Sequence, residues 1–447
     1  MSADDQPVTS VGDLLVFFER AETPAEAWRV GTEHEKIGLS ADKEPIPYEG
    51  ERGIGAVLEA IAHGDGWKPA FEEGAVIALE KDRASITLEP GGQFELSGAP
   101  LRTIHETCDE FNRHLSLMKR ICEPLDIAWL GLGMHPFHSI DQMPLMPKER
   151  YRIMRRYLPT RGGRGLMMMF QTATVQANFD YADEDDMVDK MRLALCVTPI
   201  VSAIFANSSI SDGGDNGFVS ARLHAWEDTD PDRTGILPFV FEDGFGYRRY
   251  IEWALDVPMF FIVRGERYEP GRGMTFREFM RHGRGELRAT LADFDRHLTT
   301  LFPDVRLKNI IEVRGADAVP PGLTCSLPAL WKGLLYDVSA RAAARGLVAG
   351  TSHEDRLDAR RDVARRGLRA NFAGRPVLAL ARELAEISRA GLRRIAHTGA
   401  RDPDETAYLD PVFEQLDRGA SPGEVVRDRW LGEWNRDPDR LIEYARY

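Results

Sequence analysis

Cysteine is scarce in this chain, with four residues among 447. Cys108, Cys122, Cys196 and Cys325 form no C-x-x-C pair and no spacing typical of a zinc site. Small secreted domains that depend on disulfides carry far more cysteines for their length. The cysteine content therefore argues against a disulfide framework and against a structural zinc module.

A surplus of basic residues is also absent, because the formal net charge is -14 at pH 7. Nucleic acids and anionic membranes attract basic surfaces, so neither is expected as a partner. The most apolar run, Leu193 to Ala206, is too short to cross a bilayer. The N-terminal run MSADDQPVTS lacks the basic and apolar regions of a signal peptide. These features predict a cytoplasmic protein with small-molecule partners, either a monomer or a homodimer.

Several common catalytic signatures are missing as well. The chain has no Walker A loop and no Rossmann glycine fingerprint in a suitable context. It also lacks a G-x-S-x-G nucleophile elbow and an H-E-x-x-H metal pair. If a nucleotide binds, it is expected to bind through a metal ion on a surface lined with acids.

Glutamates in strand-like segments are the most informative feature that is present. In the run GTEHEKIGL, Glu33 and Glu35 are two positions apart, so their side chains leave the same face of a strand. In the run ITLEPGGQFELS, Glu89 and Glu95 flank a Pro-Gly-Gly interruption. Such acids are common on a solvated sheet edge, but apolar neighbours here indicate half-buried strands, where unpaired acids are costly. The pattern predicts a site for Mg²⁺ or Mn²⁺, which prefer oxygen ligands.

A second strand-like segment, Met167 to Tyr181, alternates polar and apolar residues. It is predicted to be a strand whose uncharged polar face forms the floor of a small-molecule site. The residues on that face are Thr172, Thr174, Gln176 and Asn178.

A third segment, RLKNIIEVRG, alternates again and places Glu312 and Arg314 on one face. A curved antiparallel sheet that gathers these strands would hold a row of acids beside an arginine. That combination suits a triphosphate, because metal ions neutralise phosphate oxygens and arginine stabilises the transferred group.

The remaining chain is mainly helical. Apolar residues recur in steps of three and four from Leu101 to Leu125, which predicts a long amphipathic helix. No internal repeat or linker is visible, so residues 1–447 are predicted to form one domain with a mostly helical portion at 327–447. Breaks between the C-terminal helices are predicted at Gly346–Thr351, Gly374–Pro376 and Arg401–Pro403.

A run of motifs in this order resembles glutamate–cysteine ligases of the plant and proteobacterial type. They include GTEHEKIGL, SITLEPGGQFELSGAP, TATVQANFDY, TDPDRTGILPFVFEDGFG and HLTTLFPDVRLKNIIEVRGAD, and the similarity extends from about Trp28 to Asp337. The resemblance implies an α+β fold like the catalytic domain of glutamine synthetase, in which six antiparallel strands form a cup with helices outside. It also implies that ATP phosphorylates the γ-carboxylate of glutamate and that the amine of cysteine displaces phosphate, giving γ-glutamylcysteine.

The resemblance also assigns roles to individual residues. It implies that Arg314 and Arg222 bind phosphate or substrate carboxylate, and, more weakly, that Arg233 binds substrate. Trp253 would wall the cysteine pocket, and Gln171 stands where plant sequences tend to have arginine. The implied metal ligands, for Mg²⁺ or Mn²⁺, are Glu33, Glu35, Glu89, Glu95, Gln176 and Glu312.

Cys108 and Cys325 lie at positions similar to a cysteine pair that forms a regulatory disulfide in the plant enzymes. The alternative for Cys108 is a structural role, because it lies on the apolar stripe of its helix. A disulfide is also unusual in the cytosol.

Two other functions remain open at this stage. A related ligase could join glutamate to a different amine, because the acceptor pocket cannot be read from the sequence. A catalytically silent homologue could act by binding alone, although a protein freed from catalysis would have no reason to keep repulsive acids buried.

Overall fold

A computed structural model describes residues 6–398 and 404–447. Its helices are α1 (Val11–Glu19), α2 (Ile54–Gly64), α3 (Ile104–Cys122), α4 (Glu149–Tyr157), α5 (Gly165–Gln171), α6 (Glu184–Ile204), α7 (Ala221–Trp226), α8 (Tyr247–Asp256), α9 (Phe276–His282), α10 (Leu291–Leu298), α11 (Pro321–Thr324), α12 (Ser326–Leu335), α13 (Val338–Leu347), α14 (His353–Arg366), α15 (Val377–Thr398), α16 (Asp410–Arg418), α17 (Pro422–Leu431) and α18 (Pro438–Ala445). Its strands are β1 (Val30–Leu39), β2 (Lys68–Glu72), β3 (Ala75–Lys81), β4 (Ala84–Leu88), β5 (Phe94–Ser97), β6 (Ala128–Leu130), β7 (Thr174–Phe179), β8 (Ile210–Ser211), β9 (Gly214–Asp215), β10 (Thr234–Gly235), β11 (Phe261–Arg264), β12 (Arg267–Pro270), β13 (Phe302–Pro303), β14 (Val305–Leu307), β15 (Ile311–Asp317), β16 (Asn371–Phe372) and β17 (Arg375–Pro376).

One sheet of nine strands dominates the fold, in the order β14-β15-β7-β1-β5-β4-β3-β2, with β6 paired to the far end of β1. All its ladders are antiparallel. The sheet has nine strands instead of the expected six because the β2–β3 hairpin extends one edge and β6 is added to β1. The α+β class and the antiparallel sheet with outer helices are confirmed.

The two faces of this sheet differ in character, because one packs against apolar residues of helices and the other carries the polar groups. The apolar residues of β7 and β15, such as Val175, Ala177 and Val313, are buried in one cluster with residues of α6 and α12. Behind β1, the His34 ring packs 4.6 Å from the ring of Phe111 on α3. The opposite face therefore remains for the glutamates, as the alternating pattern predicts.

β3 and β4 form a hairpin whose turn is centred on Asp82 and Arg83. β3 and β4 pair as far as Lys81 and Ala84, and Asp82 and Arg83 have φ angles of 49° and 78°. Two consecutive positive φ angles are those of a type I′ turn, whose twist matches that of the paired strands.

The strand predicted from Met167 to Tyr181 is only partly correct. Residues up to Gln171 form α5, and the strand begins at Thr174. Leu and Met are strong helix formers, and the Thr172 hydroxyl closes the helix by donating to the Met168 carbonyl over 2.7 Å. Thr172 therefore lies between the two elements instead of in the strand.

The long amphipathic helix is confirmed as α3. It begins with a capping box in which Thr103 and Glu106 exchange side-chain and backbone hydrogen bonds. Its buried Cys108 forms a disulfide with Cys325, and the two Cα atoms are 5.9 Å apart. The two cysteines are 217 positions apart in sequence, so this bond ties α3 to the chain just before α12.

From α12 onward the described chain is mostly helical. The predicted breaks at Gly346–Thr351 and Gly374–Pro376 separate α13 from α14 and α14 from α15, whereas the predicted break at Arg401–Pro403 lies outside the described residues. The assignment of residues 1–447 to one domain stays a prediction. Among the described helices, none is both long and apolar enough to span a membrane.

Candidate active site

Glu33 and Glu35 project from the same face of β1, and each is held by a residue of the neighbouring strand β7. The Asn178 side-chain amide donates to Glu33 Oε1, and the Thr174 backbone N–H donates to Glu35 Oε2, each over 3.0 Å. Glu33 is half-buried, and Glu35 is 9% exposed. The strand pairing thus fixes both carboxylates on the polar face of the sheet.

Glu95 lies directly opposite Glu35 in the β1–β5 ladder. Its carboxylate accepts hydrogen bonds from the Thr87 hydroxyl over 2.8 Å and from the Ser97 hydroxyl over 3.0 Å. Glu89 follows the end of β4, on the other side of the Pro-Gly-Gly turn. The predicted convergence of the two glutamate pairs is therefore seen in the structure.

The Pro-Gly-Gly turn between these acids requires its glycines. A Cβ atom on Gly91 would lie 2.1 Å from the Phe170 carbonyl oxygen, and Gly92 has a φ of +87°. Only glycine accommodates both the close approach and the positive φ. The turn can therefore pack directly against α5.

The four glutamates carry negative charge that the protein does not fully compensate. Burial, with Glu312 and Glu95, raises the pKa of Glu33 to about 7. Burial, with Glu89 and Glu95, raises the pKa of Glu35 well above its usual value. Burial also raises the pKa of Glu89, and burial together with Glu89 raises that of Glu95. A bound cation would relieve this repulsion.

The acids of the described residues are not arranged as a coordination shell for a metal ion. Across residues 6–398 and 404–447, no three His, Cys, Asp or Glu side chains are arranged to hold one. The structure thus brings Glu33, Glu35, Glu89 and Glu95 to one face without forming a coordination shell. The assignment of these residues as metal ligands stays a prediction.

Glu312 differs from the other acids because arginines neutralise it. It is fully buried. Its carboxylate accepts two hydrogen bonds from Arg306, at 2.5 and 2.9 Å, and one from Arg314 at 2.8 Å. Burial alone would raise the pKa of Glu312, but Arg306, Lys308 and Arg314 outweigh burial and hold it below its usual value.

Arg314 also donates to Gln176 Oε1 over 2.8 Å. The two predicted metal ligands Gln176 and Glu312 therefore share one arginine in this structure. Their position beside the acids is as expected, but their oxygens already serve as hydrogen-bond acceptors for arginine. This arrangement favours a role in orienting Arg314 over a role as free metal ligands.

Arg222 is the most unusual group of the site. It is 2% exposed, and its Nε and Nη1 atoms have no hydrogen-bond partner. Its Nη2 donates to the Arg314 carbonyl over 2.9 Å, and Glu35 is one of the acids that interact with its charge. Asp317 Oδ1 lies 3.9 Å from Nη1, beyond hydrogen-bond distance, so two donors of a buried, charged arginine remain for a further acceptor.

Glu35, Glu89, Gln176, Arg222 and Arg314 line a common cavity of about 70 Å³, whereas Glu33, Glu95 and Glu312 lie outside its lining. This volume is smaller than the roughly 300 Å³ that a drug-sized ligand needs. The lining residues include Glu35, Glu89, Gln93, Met154, Met168, Met169, Thr172, Thr174, Gln176, Arg222, Trp226, Phe302 and Arg314.

Three predicted substrate ligands, Arg233, Trp253 and Asn178, do not line this cavity. Arg233 is fully buried, and its guanidinium donates to protein acceptors on Asp230, Tyr157, Pro258 and Thr300. The placement is dictated by protein acceptors that the sequence does not reveal.

Trp253 lies at the edge of the main hydrophobic core and does not line the cavity. Its ring packs beside Phe239 and Tyr250, and its indole N–H donates to the Asp232 carbonyl. The tryptophan at the cavity is Trp226 of α7, whose indole N–H is buried without an acceptor. Periodicity alone could not distinguish the two tryptophans.

Gln171, which departs from the plant pattern, is 2% exposed and donates to the His138 carbonyl over 2.8 Å. It belongs to a small cavity behind the Pro-Gly-Gly turn and is absent from the lining of the main cavity.

Sequence reasoning missed three site residues. Trp226 is one, and Arg306 is another, because its pairing with Glu312 depends on the register of the β14–β15 hairpin. The third is Lys148, which is 8% exposed and donates to the Leu88 carbonyl over 3.0 Å, next to Glu89. Burial lowers the pKa of Lys148 to about 8, although Glu89 acts against this shift. Its 60-residue separation from Leu88 left no local signal.

Comparison with protein families gives a match to the model described as glutamate–cysteine ligase family 2 over residues 29–443. Similar curated proteins include the chloroplastic glutamate–cysteine ligase B of Oryza sativa subsp. japonica, which is 43% identical over 99% of this chain and 88% of the relative. The chloroplastic glutamate–cysteine ligase of Arabidopsis thaliana is 42% identical over 97% of this chain and 82% of the relative.

Among solved structures, the glutamate–cysteine ligase of Francisella tularensis in complex with AMP has a similar fold. Its TM-score is 0.56 at 10% identity, and the match covers 94% of this chain and 87% of that chain. This likeness supports the fold class expected from the sequence.

The expected cytoplasmic location is wrong in the light of these relatives, because the plant proteins are named chloroplastic. The expectation depended on the lack of a secretory signal. That feature distinguishes secretion from retention and does not distinguish one internal compartment from another.

Proposed function

The chain belongs to glutamate–cysteine ligase family 2, and we propose that the polar face of its central sheet forms the catalytic site. The activity is the ATP-dependent formation of γ-glutamylcysteine, the first step of glutathione synthesis. The observation that carries the assignment of the site is Arg222, a buried arginine with unused donors among buried glutamates. Acids and an unsatisfied arginine in one cavity fit a reaction that joins two anions.

The reaction proceeds in two steps. An oxygen of the glutamate γ-carboxylate attacks the γ-phosphorus of ATP, and ADP leaves. The cysteine nitrogen then attacks the resulting acyl phosphate, phosphate leaves with the bonding electrons, and the nitrogen loses a proton. The first step is necessary because a carboxylate is a poor electrophile until it carries a leaving group.

The arginines supply the positive charge for this chemistry. Arg222 would bind a substrate carboxylate or phosphate through Nε and Nη1, the two atoms without a hydrogen-bond partner. Arg314, held by Glu312 and Gln176, would stabilise negative charge on the transferred phosphoryl group. Thr172 and Thr174 line the same cavity, and Asn178 holds the Glu33 carboxylate on the neighbouring strand.

The donor chemistry of the site fits Mg²⁺ or Mn²⁺. We propose Glu35, Glu89 and Glu95 as the principal ligands, with Glu33 beside them, because these carboxylates raise one another's pKa. The ion would neutralise phosphate oxygens. Gln176 and Glu312 are assigned to Arg314 instead.

The experiment that tests the function is ADP release from Mg²⁺-ATP with L-glutamate, with and without L-cysteine. Strong stimulation by cysteine, with γ-glutamylcysteine as the product, is the expected result. Stimulation by another amine alone would identify that amine as the acceptor. Absence of ADP release under both reducing and oxidising conditions would favour a catalytically silent homologue. The redox role of Cys108 and Cys325 stays a proposal, and the same two conditions test it.

Without divalent metal, stability is expected to decrease as the pH rises from about 5 to about 8. The folded protein retains a proton on Glu33 up to its pKa of about 7, whereas the unfolded chain releases it near 4.5. The stabilisation is therefore complete below the unfolded pKa and is lost as the pH rises through the folded pKa. For a half-buried group we expect on the order of 1–2 kcal/mol.

Urea unfolding at several pH values, in EDTA and in Mg²⁺, measures this effect. Mg²⁺ should remove most of the decrease, and Glu33→Gln should weaken it in EDTA. An identical pH dependence with and without Mg²⁺ would count against the metal assignment.

A further inference from the structure

Asp317, the last residue of β15, is a buried acid to which no role has been given above. It is 1% exposed. Its Oδ2 accepts from the Asn207 backbone N–H and from the Ser208 hydroxyl, each over 2.7 Å, and its Oδ1 accepts from the Ser220 hydroxyl over 3.0 Å. Three donors from one loop region therefore converge on a single carboxylate.

The two hydroxyls pass this constraint on to α7. Ser208 Oγ accepts from the Arg222 backbone N–H over 3.1 Å. Ser220 is the N-cap of α7, and its Oγ accepts from the Leu223 N–H over 3.2 Å. Because both hydroxyls donate their proton to Asp317, their lone pairs remain for the first turn of the helix.

The helix held in this way carries two residues of the cavity, Arg222 and Trp226. Asp317 Oδ1 also lies 3.9 Å from Arg222 Nη1, so its charge acts directly on the guanidinium. The carboxylate itself has little freedom, since a Cβ atom on Gly133 would lie 2.5 Å from Asp317 Cβ. The end of β15 therefore helps to fix the position of α7.

We propose that Asp317 is a positioning residue that aims Arg222 into the cavity through Ser208, Ser220 and its own charge. The inference rests on the proposed function of Arg222 as an anion-binding group. Asp317 touches no substrate, because its carboxylate oxygens are occupied by protein donors. Loss of its charge leaves the serine hydroxyls without a fixed acceptor and lets the arginine turn away.

Asp317→Asn tests the proposal because it keeps the shape and removes the charge. We expect kcat/KM to decrease by about 10- to 100-fold and the change to divide between KM and kcat as it does in Arg222→Lys. In the double variant the two losses should not add, because both act through the same guanidinium. Additive losses would overturn the positioning role.

Asp293→Asn is the matched control. Asp293 is also a buried aspartate that fixes a helix start, since it accepts from the Thr290 backbone and hydroxyl at 3.0 Å and pairs with Arg264. It should lower stability without changing the division between KM and kcat.

If Asp317→Asn does not fold, Ser208→Ala removes one hydroxyl and should shift the same kinetic parameter by a smaller factor. An unchanged parameter in folded Ser208→Ala would count against the proposal. The wild-type chain is assayed in the same series. Absence of wild-type turnover would refute the proposed function, whereas normal wild-type turnover with additive losses would refute only the role of Asp317.

Discussion

Glu35→Gln is expected to lower kcat by about 10²- to 10³-fold or more, while the folded state becomes no less stable. The variant removes a charge from the cluster in which Glu89 and Glu95 raise the pKa of Glu35. Glutamine can still accept the Thr174 N–H that Glu35 accepts over 3.0 Å. Repulsion therefore decreases while the local hydrogen bond remains, and the loss falls on catalysis. Steady-state kinetics and thermal unfolding, each with and without Mg²⁺, measure the two effects.

Glu110→Gln on α3 is the matched control for this substitution. Glu110 also accepts a backbone N–H, that of Ala99 over 3.1 Å, and burial also raises its pKa. It does not line the candidate cavity. Its kcat should stay within a factor of about two of wild type. Near-normal turnover in Glu35→Gln would exclude Glu35 as a metal ligand.

Glu312→Gln, unlike Glu35→Gln, is expected to lower stability strongly, with a loss of about 3–5 kcal/mol in the free energy of unfolding. The substitution leaves Arg306 and Arg314 buried without the carboxylate that accepts three of their hydrogen bonds. Since the pKa of Glu312 is held below its usual value, its contribution is present above about pH 4.5 and is lost as the pH falls further. Turnover should also decrease, because Arg314 loses one of its two side-chain acceptors.

Urea unfolding and kinetics at neutral pH test this prediction, with Glu405→Gln as the control. Glu405 is 2% exposed and pairs with Lys332 at 2.8 Å, so its loss should also destabilise the fold. Kinetic constants of the folded control should stay unchanged. A Glu312→Gln variant as stable as wild type would show that the arginines find other partners, and it would return Glu312 to the candidate metal ligands.

The alternation of residues within single strands was a sound guide to the acids. The two-residue spacing of Glu33 and Glu35 put both on one face of β1. The Pro-Gly-Gly turn fixes the register of β4 against β5 and places Glu95 opposite Thr87, because a tight turn leaves little choice of register. These features depend on local geometry, and local geometry can be read from sequence.

Partners on other strands and in other elements could not be read in the same way. Arg306 meets Glu312 only because β14 and β15 pair in one register, and the ladder between β15 and β7 shifts between Val313 and Ala316. Such a bulge redirects the side chains that follow it. The orientation of Arg233 was likewise decided by acceptors up to 76 positions away.

The order of strands in the sheet divides the site in two. Glu33, Glu35, Glu89 and Glu95 lie on or beside β1, β4 and β5. The other polar residues of the site come from the chain beyond β6, namely Gln176, Arg222, Glu312 and Arg314. The two groups meet along one seam, the ladder between β1 and β7. The distances from these four glutamates to Arg222 and Arg314 therefore depend on the register of a single ladder, in which Glu33 lies opposite Gln176.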